Sequence, residues 1–482
     1  MNRLIIGPFN RVEGDLEVKI DVEDGRVAQA HVVSPLYRGF ERMLLGKAPA
    51  DALVYAPRIC GICSVSQSVA AAQAIAEAEG LQAPPNGKRA LNLVHAAENV
   101  ADHLTHFYLF FMPDFAREIY AGEPWSEATV ARFAAMKGSA ARDALPARAQ
   151  FMHLMGLLAG KWPHTLSIQP GGSTRAVAGN EVARILGVLA GFRRFLETTL
   201  FGDSLERIVA LGSAEGLRAW ADEAAPDSSD FRRFLRISEA LGLDRLGRAG
   251  DLFLSFGAYA CENGPLFARG VFDGGEPGAL DPREITEDLT SVWDLGEGAQ
   301  PPFEGETRPD PEQASGYTWC KAPRLGGRVA ETGALARQAV EGHPLIRDLL
   351  QGGPGNVHAR VVARLLEIAR VTIAMEDWAR AIDPGEAFRT HGRTPDGAIG
   401  MGLTEAARGS LGHWLKIERG RIANYQIVAP TTWNFSPRDE RGQPGALEQA
   451  LVGAPLREGE SEPVAVQHIV RSFDPCMVCT VH

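Results

Sequence analysis

Apolar and polar residues alternate along two stretches of the chain, and this alternation predicts β-hairpins. Residues 16 to 34 (LEVKIDVEDGRVAQAHVVS) alternate on both sides of an Asp24-Gly25 pair, and residues 414 to 428 (WLKIERGRIANYQIV) alternate on both sides of Gly420. Alternation interrupted by a turn residue is typical of two antiparallel strands. We therefore expect one hairpin near each end of the chain.

Longer stretches repeat apolar residues at every third or fourth position, which predicts amphipathic helices. Such helices are expected over residues 90 to 112, 180 to 201 and 360 to 382, and an Ala-rich helix is expected from residue 64 to Gly80. Helices of this length with much apolar surface suit a bundle buried in a large domain. The predicted fold is mixed α+β and helix-dominated: one large domain around a long-helix bundle, with hairpins at its periphery.

One segment follows neither pattern. Residues 272 to 316 are rich in Gly, Pro and acidic side chains. These residues favour turns and exposed loops over regular elements. We therefore expect a surface excursion from the single domain that spans residues 1 to 482.

The composition agrees with a soluble protein that buries a large core. The chain has 482 residues, of which 45% are hydrophobic and 23% charged, and its formal net charge is -11. This charge argues against nucleic acid and anionic membranes as partners. No stretch of about 18 apolar residues predicts a membrane span, and the first residues lack the pattern of a signal peptide. We therefore expect a cytoplasmic protein.

Four of the six cysteines form two Cys-x-x-Cys pairs that almost the whole chain separates. Cys60 and Cys63 lie in RICGICSVSQ (58 to 67), and Cys476 and Cys479 lie in DPCMVCTVH (474 to 482), which ends in His482. Thiols in this spacing bind metals or act as redox pairs. The spacing alone leaves open a structural zinc site, a catalytic or redox metal site and two unrelated dithiols.

In these two motifs the sequence resembles the large subunit of nickel–iron hydrogenases. The family patterns Arg-x-Cys-Gly-x-Cys and Asp-Pro-Cys-x-x-Cys-x-x-His are both present. Further motifs follow in family order: RVEG (11 to 14), YRGFE (37 to 41), DHLTHFY (102 to 108), WCKAPR (319 to 324), EAARGSLGHW (405 to 414) and NYQIVAPTTWN (424 to 434). The resemblance spans nearly the whole chain. It implies the fold of that subunit and a hydrogen:acceptor oxidoreductase that reversibly splits dihydrogen into protons and electrons.

The resemblance implies that the four cysteines bind nickel as thiolates. Cys60 and Cys476 match the terminal ligands. Cys63 and Cys479 match the ligands that bridge to an iron carrying one carbon monoxide and two cyanides. Soft thiolates suit nickel, which agrees with this assignment.

The resemblance also implies roles for side chains around this centre. Glu13 matches the carboxylate that relays protons. Arg408 matches the arginine over the open metal position, and Asp102 and Asp474 match the acids that orient it. Thr431 matches the hydroxyl that hydrogen-bonds one cyanide, with Arg408 near the other.

A magnesium site near the last residue is implied in the same way. Glu41, the backbone carbonyl of Ile427 and the imidazole of His482 match its ligands. Lys321 and Gln426 match residues that contact it through water. One carboxylate, one carbonyl, one imidazole and several waters are a plausible set for Mg²⁺, which keeps much of its hydration.

The sequence departs from the family pattern at several positions. Gln67 replaces a histidine that hydrogen-bonds a bridging thiolate in most relatives, Ala407 replaces a frequent proline, and Trp162 replaces a histidine. Ile62 and Phe110 match the end of the gas channel, where many relatives have the smaller Val and Leu. Gln67, the larger Ile62 and Phe110 side chains and the missing peptide after the final histidine, which is either removed or never made, together resemble the cytoplasmic regulatory subgroup, which senses dihydrogen.

The resemblance implies partners as well. Electrons must leave the nickel, so we expect a small subunit with iron–sulfur clusters, in a heterodimer or a dimer of heterodimers. A sensor would also signal to a histidine kinase. The alternatives are an energy-supplying uptake hydrogenase that feeds a respiratory chain, a scaffold subunit of the quinone-reductase type, and a structural zinc protein.

Overall fold

The computed structural model describes residues 2–262, 264–296, 298–460, 462–480 and 482. Its helices, in chain order, are α1 (Phe40–Leu44), α2 (Ala52–Tyr55), α3 (Ser64–Glu79), α4 (Pro85–Thr105), α5 (Ser126–Phe133), α6 (Ser139–Phe151), α7 (His153–Ala159), α8 (Gly179–Phe195), α9 (Leu205–Val209), α10 (Ala214–Asp222), α11 (Asp230–Leu241), α12 (Ala334–Glu341), α13 (Pro344–Leu350), α14 (Val357–Arg380), α15 (Pro430–Asn434), α16 (Ala446–Leu451) and α17 (Val464–Ser472).

The strands form small sheets around these helices. They are β1 (Asn2–Ile6), β2 (Glu17–Glu23), β3 (Arg26–Val33), β4 (Ile168–Gln169), β5 (Gly172–Ser173), β6 (Leu252–Cys261), β7 (Gly264–Asp273), β8 (Glu276–Gly278), β9 (Ile285–Asp288), β10 (Ala299–Gln300), β11 (Ala322–Leu325), β12 (Glu331–Thr332), β13 (Gly397–Ala406), β14 (Gly409–Glu418) and β15 (Arg421–Val428). The sheet orders are β1-β2-β3, β4-β5, β12-β6-β7-β8, β10-β9-β11 and β13-β14-β15. Paired strands are antiparallel, except that β12 runs parallel to β6.

The predicted helices are confirmed. Helix α3 ends at Gly80, whose φ of 65° provides the left-handed cap that glycine adopts without strain. Helices α4 and α8 each continue into a short π-helical turn, at His106–Phe111 and Leu196–Leu200. The long helix α14 packs against α4, α8 and α12 at the centre of the molecule. The helix-dominated α+β prediction is therefore correct.

Both predicted hairpins are present, and the second belongs to a larger sheet. β2 and β3 pair around Asp24 and Gly25, and β14 pairs with β15 around Gly420. The sequence pattern missed β13, which lies between β14 and helix α3. A Cβ atom at Gly400 or Gly402 would lie 1.9 Å from a backbone oxygen of α3. These glycines allow the sheet to pack closely on the helix that follows Cys63.

The segment from 272 to 316 reaches the interior as well as the surface. Its strand β9 pairs with β11, and Thr307 is buried beside Glu41. The prediction of a surface excursion therefore fits only its exposed loops. Among the described residues, none of the helices combines the length and apolar character needed to cross a lipid bilayer.

Candidate metal centre

The first cysteine motif is fixed at the start of α3. Cys63 is the residue that precedes the helix, and Glu98 of α4 accepts hydrogen bonds from the backbone N–H groups of Val65 at 2.8 Å and Ser66 at 2.9 Å. A helix leaves its first N–H groups without partners inside the helix, so this carboxylate caps α3 from a neighbouring element. The cap sets where Cys63 lies.

The second cysteine motif pairs with the chain near its beginning. Residue Glu13 forms a parallel bridge with Cys476: its N–H donates to the Pro475 carbonyl at 3.4 Å, and its carbonyl accepts from Met477 N–H at 2.7 Å. Arg38 connects the two motifs, since its guanidinium donates to the carbonyls of Ile59 and Val478. Backbone contacts thus bring both ends of the chain to one place.

These contacts place four thiols in one buried cluster. The Sγ atoms of Cys60 and Cys476 are 3.4 Å apart, and the Sγ atom of Cys479 lies 3.1 Å from those of Cys63 and Cys476. All four sulfurs lie within 4.8 Å of one another, and none forms a disulfide. Burial raises the pKa of the Cys476 and Cys479 thiols. A soft metal cation would stabilise the thiolates, so the cluster fits such an ion.

A buried arginine lies beside the cluster. Arg408, at the tip of the β13–β14 hairpin, donates to both carboxylate oxygens of Asp102 and, at 3.0 Å, to Asp474. Burial lowers the pKa of Arg408, but the two carboxylates outweigh this effect and leave it above its ordinary value. The guanidinium is therefore a fixed positive charge. Its Nε atom has no hydrogen-bond partner among the described residues.

Two further predicted residues lie close to the thiols. Glu13 is half-buried, and burial together with the Cys60 charge raises its pKa. The hydroxyl oxygen of Thr431 accepts a hydrogen bond from Cys476 N–H at 3.1 Å. Its own proton therefore remains available for another acceptor. A carboxyl group with a raised pKa and a free hydroxyl donor are suited to proton transfer and to binding a small anion.

The residues predicted to bind magnesium also come together. Nε2 of His482 is in contact with the Ile427 carbonyl and lies 4.0 Å from Glu41 Oε1. Lys321 donates to Glu41 at 3.0 Å and to Gln426 at 2.7 Å. A carboxylate, a carbonyl and an imidazole therefore converge on the chain end, as a hard cation with partial hydration requires.

A family model described as nickel-dependent hydrogenase matches residues 38–141 and 139–482. The chain belongs to this family. It is 29% identical to the periplasmic [NiFeSe] hydrogenase large subunit of Desulfomicrobium baculatum, over the whole chain and 95% of that relative. It is 27% identical to the hydrogenase-2 large chain of Escherichia coli, over the whole chain and 97% of that relative, and 26% identical to the uptake hydrogenase large subunit of Rhodobacter capsulatus, over the whole chain and 95%.

Solved structures agree with this assignment. The reduced Ni-Fe-Se hydrogenase of D. vulgaris Hildenborough superposes with a TM-score of 0.84 at 30% identity, and the alignment covers the whole of both chains. A structure of the Dm. baculatum [NiFeSe]-hydrogenase also gives 0.84, at 28% identity and with the same coverage. The predicted hydrogenase identity and fold are confirmed, and the protein is a hydrogenase large subunit.

The matched relatives include uptake and periplasmic enzymes, and none of those named is a hydrogen sensor. Of the residues that suggested the regulatory subgroup, Gln67 is buried, with its Oε1 atom 2.8 Å from Nε2 of His413. Ile62 packs against the main core, whereas Phe110 is half-exposed in the π-helical turn after α4. Their position at a gas channel stays a prediction.

Several further residues of this hydrogenase site were not predicted from the sequence. Arg38, Glu98 and His413 act across long separations in the chain, and Thr307 and Glu287 approach the Glu41 cluster from the segment between 272 and 316. Arg38 and His413 do lie inside the quoted family motifs, so those motifs could have pointed to them. Nothing comparable marks the other three.

Proposed function

We propose that this hydrogenase splits dihydrogen at a nickel–iron centre held by the four thiolates. The observation that carries the proposal is the buried four-sulfur cluster beside the Arg408 guanidinium. Such a centre, with one carbon monoxide and two cyanides on iron, would act as a Lewis acid that makes dihydrogen more acidic. It would also accept the electrons of dihydrogen.

The cysteines would divide their roles by position. Cys60 and Cys476 would bind nickel alone, and Cys63 and Cys479 would bridge nickel to iron. The hydroxyl of Thr431 has a proton to donate to one cyanide, and Arg408 would donate to the other. This arrangement is supported by the hydrogen bond that already occupies the Thr431 oxygen.

Glu13 would take the proton away from the centre. Its raised pKa, its half-buried side chain and its backbone pairing with Cys476 support this role. A carboxyl group that exchanges protons near neutral pH accelerates proton transfer by about 10²- to 10⁴-fold in typical enzymes. Asp102 and Asp474 would keep Arg408 in place, because both carboxylates accept hydrogen bonds from its guanidinium group.

A bound magnesium ion would hold His482 in place near the thiolates. Glu41, the Ile427 carbonyl and His482 would be its ligands, and Lys321 and Gln426 would bind its water shell. The convergence of these groups supports the proposal. Since His482 follows Cys479 closely in sequence, an ion here would also limit the motion of Cys479.

Electron transfer would need a partner. Among the described residues, the four cysteines are the one cluster of thiols that could hold a metal, and the nickel–iron centre would occupy it, so iron–sulfur clusters would lie in a small subunit. The relatives from Desulfomicrobium baculatum and Rhodobacter capsulatus are large subunits, which supports a heterodimer. A dimer of heterodimers would be the next level of assembly.

For the physiological role we propose hydrogen sensing, with signalling to a histidine kinase in the cytoplasm. Gln67, Ile62 and Phe110 support it, because an amide that does not titrate and a narrowed gas path suit detection better than fast turnover. An uptake role is the alternative, and the names of the uptake relatives support it.

The test is dihydrogen-driven dye reduction by the purified complex with its small subunit, measured before and after exposure to air, with nickel and iron contents determined first. Near-equal nickel and iron with dihydrogen-dependent reduction is the expected result. Slow turnover that survives air supports the sensor, and fast turnover that air abolishes supports the uptake enzyme. A complex that contains zinc instead of nickel would refute the proposed centre.

A further inference from the structure

The turn that carries Arg408 is short and buried. β13 ends at Ala406 and β14 begins at Gly409, so Ala407 and Arg408 form the connection between two paired strands. Ala406, Ala407 and Arg408 are at most 3% exposed. A Cβ atom at Gly409 would lie 2.4 Å from the hydroxyl oxygen of Thr332. The turn is therefore shielded from water, and other groups of the protein must satisfy its polar atoms.

One buried carboxylate fixes the chain on both sides of this turn. Glu405 lies before the turn, and its Oε1 atom accepts hydrogen bonds from the Ser410 hydroxyl at 2.6 Å and from the Phe256 N–H at 2.7 Å. Its Oε2 atom accepts from Arg337 at 2.8 Å, and the same guanidinium donates to the Ala407 carbonyl at 3.1 Å. These contacts connect positions 405, 407 and 410, which lie on either side of the buried active-site arginine.

Helix α4 links the turn to the carboxylate that the arginine binds. The Nδ2 atom of Asn99 donates to the Glu405 carbonyl at 3.2 Å. Asp102, which follows Asn99 by three residues on the same helix, accepts hydrogen bonds from the Arg408 guanidinium. Residues with this spacing lie on the same side of a helix. One rigid element therefore holds both the backbone of the turn and the partner of its guanidinium, so both ends of the Arg408 side chain have defined positions.

We propose that Glu405 is a positioning residue for the active-site arginine: it holds the turn so that the Arg408 guanidinium keeps one place beside the thiol cluster. This inference rests on the role proposed above for Arg408. A long side chain keeps its end in place only where its backbone is fixed too, and a displacement of about 1 Å in an active site can cost about 10²-fold in rate. A glutamine at position 405 would keep the volume, but its NH₂ group cannot accept a hydrogen bond from Arg337.

The test measures turnover per nickel in dihydrogen-driven dye reduction, and the infrared bands of the iron-bound cyanides, in the purified complex with its small subunit. The variants are Glu405→Gln, Arg408→Lys and the double variant. We expect Glu405→Gln to retain nickel and iron but to lose at least about fivefold in turnover. It should also shift a cyanide band, since Arg408 would donate to one cyanide. The double variant should lose no more turnover than Arg408→Lys, because Glu405 acts through the arginine.

A matched control is available elsewhere in the protein. Asp439 is a second buried carboxylate, and its Oδ2 atom accepts a hydrogen bond from Nε of the buried Arg324 at 2.8 Å. Asp439→Asn also places an amide opposite a buried arginine, but outside the turn and the two cysteine motifs. It should lower the unfolding temperature, as Glu405→Gln does, and leave turnover per nickel and the cyanide bands unchanged. Equal losses of turnover in both variants would overturn the inference, because general destabilisation would then explain them.

Unshifted cyanide bands in Glu405→Gln, or a loss of turnover below about fivefold at full metal content, would also overturn the inference. So would losses that multiply in the double variant. If Glu405→Gln does not assemble the centre, Ser410→Ala decides, because it removes one hydrogen bond to the carboxylate and keeps the ion pair with Arg337: a shifted cyanide band supports the inference and unshifted bands refute it. Unchanged turnover in Arg408→Lys at full metal content would instead refute the role proposed for Arg408.

Discussion

Replacing Arg337 by methionine should destabilise the protein strongly and in a pH-dependent way. Arg337 is 1% exposed and donates to Glu367 through two bonds of 2.8 Å, to Glu405 at 2.8 Å and to the Ala407 carbonyl at 3.1 Å. Methionine has a similar volume but no charge. The variant would therefore leave two buried carboxylates without their cation, and the carbonyl before Arg408 without its donor.

The size of the effect follows from the environment of Glu367. Burial by itself would raise the pKa of Glu367, but Arg337 and then His103 lower it from 4.5 to about 2. At about 1.4 kcal/mol for each tenfold change in a protonation equilibrium, this corresponds to about 3 kcal/mol of stabilisation. Removing one partner of a buried ion pair typically costs about 3–5 kcal/mol, which agrees.

The dependence on pH has a definite sign. A carboxylate with a lowered folded pKa contributes stability above its ordinary value of 4.5 and loses it as the pH falls towards 2. In the variant, burial without the cation raises the pKa of Glu367. Acid therefore protonates Glu367 and removes the free-energy penalty of a buried, unpaired carboxylate. The stability deficit of Arg337→Met is therefore larger at pH 7 than at pH 5.

Urea unfolding followed by tryptophan fluorescence at both pH values measures this deficit. The control is Arg236→Met, because Arg236 pairs with Glu239 at the surface, with side chains 61% and 69% exposed, and such pairs contribute about 1 kcal/mol or less. A deficit below about 1 kcal/mol at pH 7, as in the control, would refute the argument that a buried ion pair is lost. So would a large deficit that is equal at pH 7 and pH 5, since that would indicate lost packing instead.

Three predictions concern the active site. Glu13→Gln should keep nickel and iron but lower dihydrogen-driven dye reduction by about 10²-fold or more, because an amide cannot relay protons; unchanged turnover would contradict this role. Arg408→Lys should lower turnover at least about tenfold at full metal content, because a lysine cannot bind both carboxylates in the fixed fork of a guanidinium. Ile62→Val with Phe110→Leu should widen the gas path and make activity sensitive to air, and full activity after air exposure would contradict a narrow channel.

The regular elements could be predicted because their signals are local. The hairpin around Asp24 and Gly25 and the long helices follow from periodicity and turn residues alone. Strand β13 was missed because its glycines weaken the strand pattern. These glycines allow β13 to pack closely against α3, whose residues lie more than a hundred positions earlier in the chain. A contact over such a distance produces no periodic pattern in the sequence.

Site residues could be predicted where a side chain of known chemistry lies inside a sequence motif. They could not be predicted where only tertiary packing gives the residue its role. The four cysteines and Arg408 lie inside motifs whose residue types indicate metal binding and a fixed positive charge. Glu98 does not, since a glutamate in the middle of an amphipathic helix usually faces solvent. Only the packing of α4 against α3 turns it into a cap for the cysteine helix. Sequence periodicity reports which face of a helix is apolar, and not which neighbour that face meets.

The cysteine ligands come from both ends of the chain and meet through long-range contacts. The bridge between Glu13 and Cys476 closes a loop that contains nearly the whole chain, Arg38 contacts both cysteine loops, and His482 contacts Ile427. Closing so long a loop lowers the conformational entropy of the chain, and no single contact offsets this loss. The thiolates therefore converge only in the completed fold, where burial of the core offsets the loss of conformational entropy. Metal binding at this site is then coupled to folding of the whole domain, and a ligand variant such as Cys479→Ser should lose metal affinity and global stability together.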